Sequence, residues 1–198
     1  MLIINPKDNF IYEKVSKLHV ENIKEGFMSE LGVNFLKCFY QTIAQLDNGF
    51  LAVYVDDNNQ VLGFIAGVVS LSKLKKAFQK RCFWQILNSF AKLIFMPRYV
   101  RKFYENYKYS SRIALKQFPE SELISIVVKN EFRRKGVSKL LYLSLIDFFK
   151  KKNVESFKII VGSKLIEAQK FYEKMGATKI AEIEFHKGIK SILYIHII

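Results

Sequence analysis

Three consecutive cations, Arg133, Arg134 and Lys135, stand directly before Gly136, where one apolar run ends and another begins. The stretch reads Val127-Val-Lys-Asn-Glu-Phe-Arg-Arg-Lys-Gly-Val-Ser-Lys-Leu-Leu141. A strand that runs through such a turn into a helix presents the first helical amides outward, without partners in the helix, and the helix dipole favours an anion there. Gly136 lets backbone approach a ligand closely, and the three cations add charge. The combination suits a pyrophosphate. On these residues alone, a solvated basic turn before an ordinary helix fits equally well.

The other reactive residue types offer less. His19, His186 and His196 are isolated, with no ligand spacing between them, so they read as structural and no metal site is expected. Cys82 has no histidine near it in sequence, which argues against a nucleophile, and Cys38 lies among Phe35, Phe39 and Ile43 as a core residue would.

The elements that must position the basic turn follow from periodicity. Phe10 to Val15 alternates weakly and predicts a first strand, after which Ser16 caps a helix running to about Gly26. Val33, Phe35-Leu36, Phe39-Tyr40 and Ile43 recur at helical spacing, predicting a helix over Gly32 to Gln45. Phe50–Val55 and Val61–Val69, joined by a polar turn, predict a hairpin. Leu123 to Val128 is apolar on both faces and predicts a central strand. Then come a helix over Val137 to Lys152, a short strand over Phe157 to Val161, a helix over Lys164 to Met175 closed by Gly176, and a last hairpin, Ile180–Phe185 with Ser191–Ile198. Between the third and fourth strands, about 71–118, lies a basic and aromatic segment. Two or three helices are predicted in it, one over Cys82 to Met96 and one after Pro97.

Composition bounds the class. A chain of 198 residues, 50% apolar and 25% charged, excludes wholesale disorder and is read as one domain, 1–198. The net charge of +14 is uneven: Lys73 to Gln117 holds twelve Lys or Arg against one acid, Glu105. Such a surface favours anionic partners. Met1 to Pro6 lacks the basic and apolar order of an export signal, and no run of 18 uncharged apolar residues is present. Two cysteines are too few for a disulfide framework, so Cys38 and Cys82 are expected as reduced thiols in a cytoplasmic protein.

The C-terminal half supplies a resemblance. Arg133-Arg-Lys-Gly136-Val-Ser138 is similar to the acetyl-CoA signature of the GNAT acetyltransferases, Arg/Gln-x-x-Gly-x-Gly/Ala. About 25 residues on, Leu165-Ile-Glu-Ala168-Gln-Lys-Phe171-Tyr-Glu-Lys-Met-Gly176-Ala resembles that family's second signature, Asn-x-x-Ala-x-x-Phe-Tyr-Glu-Lys-x-Gly-Phe. The resemblance covers about residues 120–198; residues 1–69 fit the order of elements without a motif. Ser138 replaces a Gly or Ala but is small. Leu165 replaces the usual Asn, and Ala177 the usual aromatic.

The resemblance implies an α/β fold: a mixed, mostly antiparallel sheet with a central pair of splayed parallel strands, flanked by helices. It implies acetyl-CoA in the gap between those strands. The pantetheine arm would pair with Ile126, Val127 and Val128, and the pyrophosphate would sit on the turn formed by Arg133, Arg134, Lys135, Gly136, Val137 and Ser138. Phe171 would be counted with the cofactor-binding residues. A neutral amine would attack the thioester, an amide near Val127 or Val128 would hold the oxyanion, and Tyr172 would protonate the departing thiolate. Tyr172 also reads as a core residue of its helix. Glu122, at the start of the central strand, is the candidate base and also reads as a solvated strand end. The acceptor would be an amino sugar, a small amine or a protein amino group, and the basic segment favours a phosphorylated one. The basic segment admits three readings: a lid or dimer surface, a patch that docks on an acidic membrane face through Phe83, Trp84, Leu87, Phe90 and Ile94, or a site for nucleic acid. The alternative to an enzyme is a non-catalytic acyl-CoA-binding or membrane-docking module on the same fold.

Overall fold

The computed structural model describes residues 1–23, 27–85, 87, 117–186 and 189–198. The elements are β1 (Leu2–Ile4), α1 (Asn9–Asn22), α2 (Phe27–Glu30), α3 (Val33–Gln45), β2 (Gly49–Val55), β3 (Val61–Val68), α4 (Leu71–Arg81), β4 (Glu122–Val128), α5 (Val137–Lys151), β5 (Ser156–Gly162), α6 (Ile166–Lys174), β6 (Thr178–His186) and β7 (Ile189–Ile197). The helices predicted over Cys82–Met96 and after Pro97 fall almost wholly outside the described residues.

Seven strands form one sheet in the order β1-β2-β3-β4-β5-β7-β6. All neighbours are antiparallel except β4 and β5. Helices cover both faces. On one, Leu141, Tyr142, Leu145 and Phe149 of α5 pack with Phe157 and Tyr194. On the other, Tyr12 and Val15 of α1 and Leu36, Tyr40 and Ile43 of α3 pack on Leu51 and Phe64. Double coverage explains why β3 is buried along its whole length, and why its sequence is apolar without alternation.

The N-terminal expectation is corrected. Phe10 to Val15 lies inside α1, not in a strand, and Ser16 is an interior helical residue that donates to the Tyr12 carbonyl (2.7 Å). The helix starts at Asp8, whose carboxylate accepts from the Phe10 amide (2.8 Å). That cap outweighs a weak alternation over six residues. The first strand is instead Leu2–Ile4 at the sheet edge, paired with Ala52–Tyr54.

The cysteine expectation is corrected as well. Cys38 and Cys82 are bonded as a disulfide, with Cα atoms 6.0 Å apart. Phe78 of α4 packs edge-on against Phe35 and Phe39 of α3, which brings the end of α4 onto the face of α3 that carries Cys38. Among the described residues, no helix is long and apolar enough to cross a membrane.

Candidate active site

The parallel pair is short. Only Glu122↔Lys158 and Leu123↔Ile159 are in register. Beyond them β4 stays paired with β3 as far as Val128↔Gly63, and β5 stays paired with β7 as far as Gly162↔Ser191. The two strands therefore part, and a gap opens between Ile124–Val128 and Ile160–Gly162. A bulge marks its start: Leu123 pairs with Gly67 and Ser125 with Ala66, leaving Ile124 over. Bulges kink a strand and increase its twist.

The basic turn stands at the C-terminal end of β4. Gly136 is the N-cap of α5 at φ 83°, and Arg134 is left-handed at φ 60°. A side chain at Gly136 would meet nothing within 4 Å, so the site asks for glycine through its φ and through open space above the amides. From Arg134 to Lys139 no amide donates to a backbone carbonyl among the described residues; the first bond of the helix is from Leu140 to Gly136 (3.0 Å). This arrangement can hold an anion.

The three cations divide their work. Arg133 turns back and donates through Nε to the Val128 carbonyl (3.1 Å) and through its guanidinium to Asn22 of α1 (3.3 Å). It fastens the turn to the strand end. Arg134 is exposed and lies 3.7 Å from Glu167 at the start of α6, across the mouth of the gap. Lys135 lies over the Phe132 ring, 5.0 Å from its centre.

Val137 and Val128 are buried beneath the turn, while Ile126 is half-buried on the α5 side. Phe171 packs edge-on against Tyr142, inside the core layer. Tyr172 is buried between Tyr142 and Tyr194, and burial pushes its phenol well above the ordinary range. α6 itself is anchored by Tyr194, which donates to Glu173 (2.8 Å).

Glu122 and Lys158 close the narrow end of the gap. Glu122 Oε2 lies 3.4 Å from Lys158 Nζ, an ion pair without hydrogen-bond geometry. Burial raises the Glu122 pKa, and Lys158 opposes the rise. Lys158 Nζ also donates to the Pro119 carbonyl (2.6 Å). Glu122 is thus largely withdrawn from solvent, with Oε2 fully covered, and is not a solvated strand end.

A model of the acetyltransferase (GNAT) family matches residues 20–177. The chain belongs to this family. Solved structures agree on the GNAT fold. Arabidopsis thaliana NAA60 in complex with a bisubstrate analogue superposes with a TM-score of 0.62 at 12% identity, covering 100% of this chain and 98% of that one. The same protein with acetyl-CoA gives 0.61 at 14%, over 100% and 99%. The ribosomal-protein-S18-alanine N-acetyltransferase from Escherichia coli gives 0.59 at 13%, over 100% and 94%. No curated protein matches the chain significantly in sequence.

Two features of this GNAT chain lay beyond sequence reasoning. His19 and His196 are not isolated. His196 is hydrogen-bonded to Tyr142 (3.1 Å) and stacks on Phe157. His19 Nδ1 is 2.5 Å from the Tyr40 hydroxyl, which is 2.8 Å from Ser125 Oγ on β4. The one local signal was Ser125 itself, a hydroxyl inside an otherwise apolar strand interior. Among the described residues, no group of three His, Cys, Asp or Glu side chains is placed to hold a metal.

Proposed function

We propose that this GNAT chain transfers an acetyl group directly from acetyl-CoA to an amine. The observation that carries the reading is the row of unpartnered amides from Arg134 to Lys139 at the open end of the β4–β5 gap. The pyrophosphate sits on Arg134 to Ser138, over Gly136, with Arg134 and Lys135 adding charge. The pantetheine arm runs along Ile126 to Val128, and Phe171 packs behind it.

The amine nitrogen attacks the thioester carbonyl, and an amide at Val127 or Val128 holds the oxyanion. Collapse breaks the carbon–sulfur bond. Tyr172, which burial keeps protonated, gives the thiolate its proton. Glu122 is the candidate base, with a carboxyl pKa raised by burial; it stands five residues back along β4 from Val127, so the proton lost by the amine reaches it through intervening water and not by direct contact. The acceptor is a primary amine; of the amino sugars, small amines and protein amino groups expected from the sequence, the fold shared with the ribosomal-protein-S18-alanine N-acetyltransferase supports trying a protein amino group.

Calorimetric titration with acetyl-CoA, beside Gly136→Glu, tests the cofactor site. Binding by the wild type that the added carboxylate abolishes supports it; equal binding by the variant moves the cofactor elsewhere. Thiol release with spermidine, glucosamine 6-phosphate and alanine tripeptide tests transfer against a non-catalytic acyl-CoA module.

A second reading concerns the basic segment. Lys73, Lys75, Lys76, Lys80 and Arg81 are exposed on α4, and Phe83 and Trp84 beyond it are 57% and 68% exposed. Cations with exposed aromatics suit the face of an acidic membrane, about 1 kcal/mol per cation near the surface. Sedimentation with phosphatidylserine vesicles but not with phosphatidylcholine vesicles supports it. Equal sedimentation with both removes it.

A further inference from the structure

Tyr40 is fully buried on α3, yet its hydroxyl is engaged on two sides. His19 of α1 and Ser125 of β4, themselves 5% and 8% exposed, complete a chain of three buried polar side chains from three elements. A phenol is a better donor than an aliphatic hydroxyl, and a neutral imidazole nitrogen is a better acceptor than a phenol oxygen. This ranking favours one direction, in which Ser125 donates to Tyr40 and Tyr40 donates to His19 Nδ1. This places the imidazole proton on Nε2. Burial, which lowers the His19 pKa to about 4, keeps the ring neutral.

Nε2 then carries a buried N–H with no partner among the described residues. An unpaired buried donor costs about 1–3 kcal/mol, and apolar side chains of similar shape would avoid the cost. Packing alone does not call for this chain. Its other end does lie at the site. Ser125 stands two residues past Leu123, the last β4 residue paired with β5, and beside the bulge at Ile124.

We infer that the Ser125–Tyr40–His19 chain orients the acceptor, with Ser125 Oγ accepting one N–H of the incoming amine where β4 and β5 part. Because Ser125 has committed its proton to Tyr40, its remaining lone pairs accept only. Holding one N–H there turns the nitrogen lone pair toward the thioester carbonyl. Ser125 touches the acceptor; Tyr40 and His19 are positioning residues that act through it. The inference rests on the acetyl-transfer reading of the site.

The test compares Ser125→Ala, Tyr40→Phe, His19→Leu and His19→Asn, the last keeping an acceptor near the place of Nδ1. Thiol release is followed with spermidine, glucosamine 6-phosphate and alanine tripeptide, and acetyl-CoA binding by calorimetry. The first three variants are expected to lower kcat on the amine the wild type uses best by about 10- to 100-fold, as misorientation does. Acetyl-CoA Kd stays within about twofold, and His19→Asn recovers most of the rate. Nitrogen-15 NMR of the wild type is expected to show His19 protonated on Nε2. Unchanged kcat in Ser125→Ala, or acetyl-CoA binding lost in step with kcat, overturns the inference. Ser125→Ala is the smallest change and carries the test if a core variant fails to fold. A wild type that binds acetyl-CoA but acetylates none of the three amines removes the orienting role and leaves the cofactor site standing. One that neither binds nor acetylates overturns the reading of the site itself.

Discussion

Glu122 and Lys158 are register partners in the parallel strand pair, and their charged ends meet 3.4 Å apart at the closed end of the gap. Their side chains are 14% and 4% exposed, so each is the main compensation for the other's burial. Removing one partner of such a pair costs about 3–5 kcal/mol. Lys158→Met is expected to destabilise the protein by about 3 kcal/mol or more at pH 8. The sign with pH is fixed. Glu122 has a folded pKa above its unfolded one, so its contribution favours folding below the ordinary carboxylate range and is lost as pH rises through the folded value. Without Lys158 that loss is larger, so the deficit of the variant shrinks from pH 8 to pH 5. Denaturant melts at the two pH values check this; an equal deficit at both refutes it.

Tyr172 lies in a ring of aromatic side chains, and its phenol is held protonated by burial. Tyr172→Phe keeps the ring contacts and removes the acidic proton. Turnover is expected to fall by about 10²-fold or more, with acetyl-CoA Kd little changed. In the wild type, no loss of kcat from ionisation of Tyr172 is expected up to about pH 10, because the shift is upward. An alkaline limb below that value which disappears in Tyr172→Phe contradicts the assignment.

Arg133 and Arg134 are neighbours with different duties. Arg134 faces Glu167 with both side chains exposed, at 90% and 78%, and exposed pairs contribute little to stability. Arg134→Gln is expected to leave the melting temperature alone and to weaken acetyl-CoA binding roughly tenfold, about 1.4 kcal/mol, with a shallower salt dependence. Arg133→Gln removes the bond to the Val128 carbonyl and is expected to cost about 1 kcal/mol of stability. Melting curves and titrations at two salt concentrations separate the two.

The Cys38–Cys82 bond closes a loop of 44 residues between α3 and the end of α4. Chain-entropy arguments give such a cross-link about 4 kcal/mol. The oxidised protein is expected to resist a maleimide reagent until reduced, and dithiothreitol is expected to lower its melting temperature. Immediate labelling of both thiols in protein prepared without reductant rejects the bond.

The sequence by itself determined the elements whose pattern is local. The strand–turn–helix around Gly136, the helix carrying Phe171 and Tyr172, and the order of strands after Glu122 follow from apolar runs, a left-handed glycine and two spaced signatures. These need only interactions between residues near in sequence. Where two local signals competed, the pattern misled: over Phe10 to Val15 the Asp8 cap decided for helix, and the edge strand Leu2–Ile4 gains its pairing only from β2. Tertiary structure alone decided what depends on distant partners. Cys38 meets Cys82 because Phe78 seats α4 on α3. Glu122 is buried because β5 lies beside β4 and brings Lys158 to it. Tyr40 reaches Ser125 across 85 residues because α3 packs on the sheet face that the bulge presents. Periodicity tells which face of an element is apolar; which polar group of another element meets that face is set by packing.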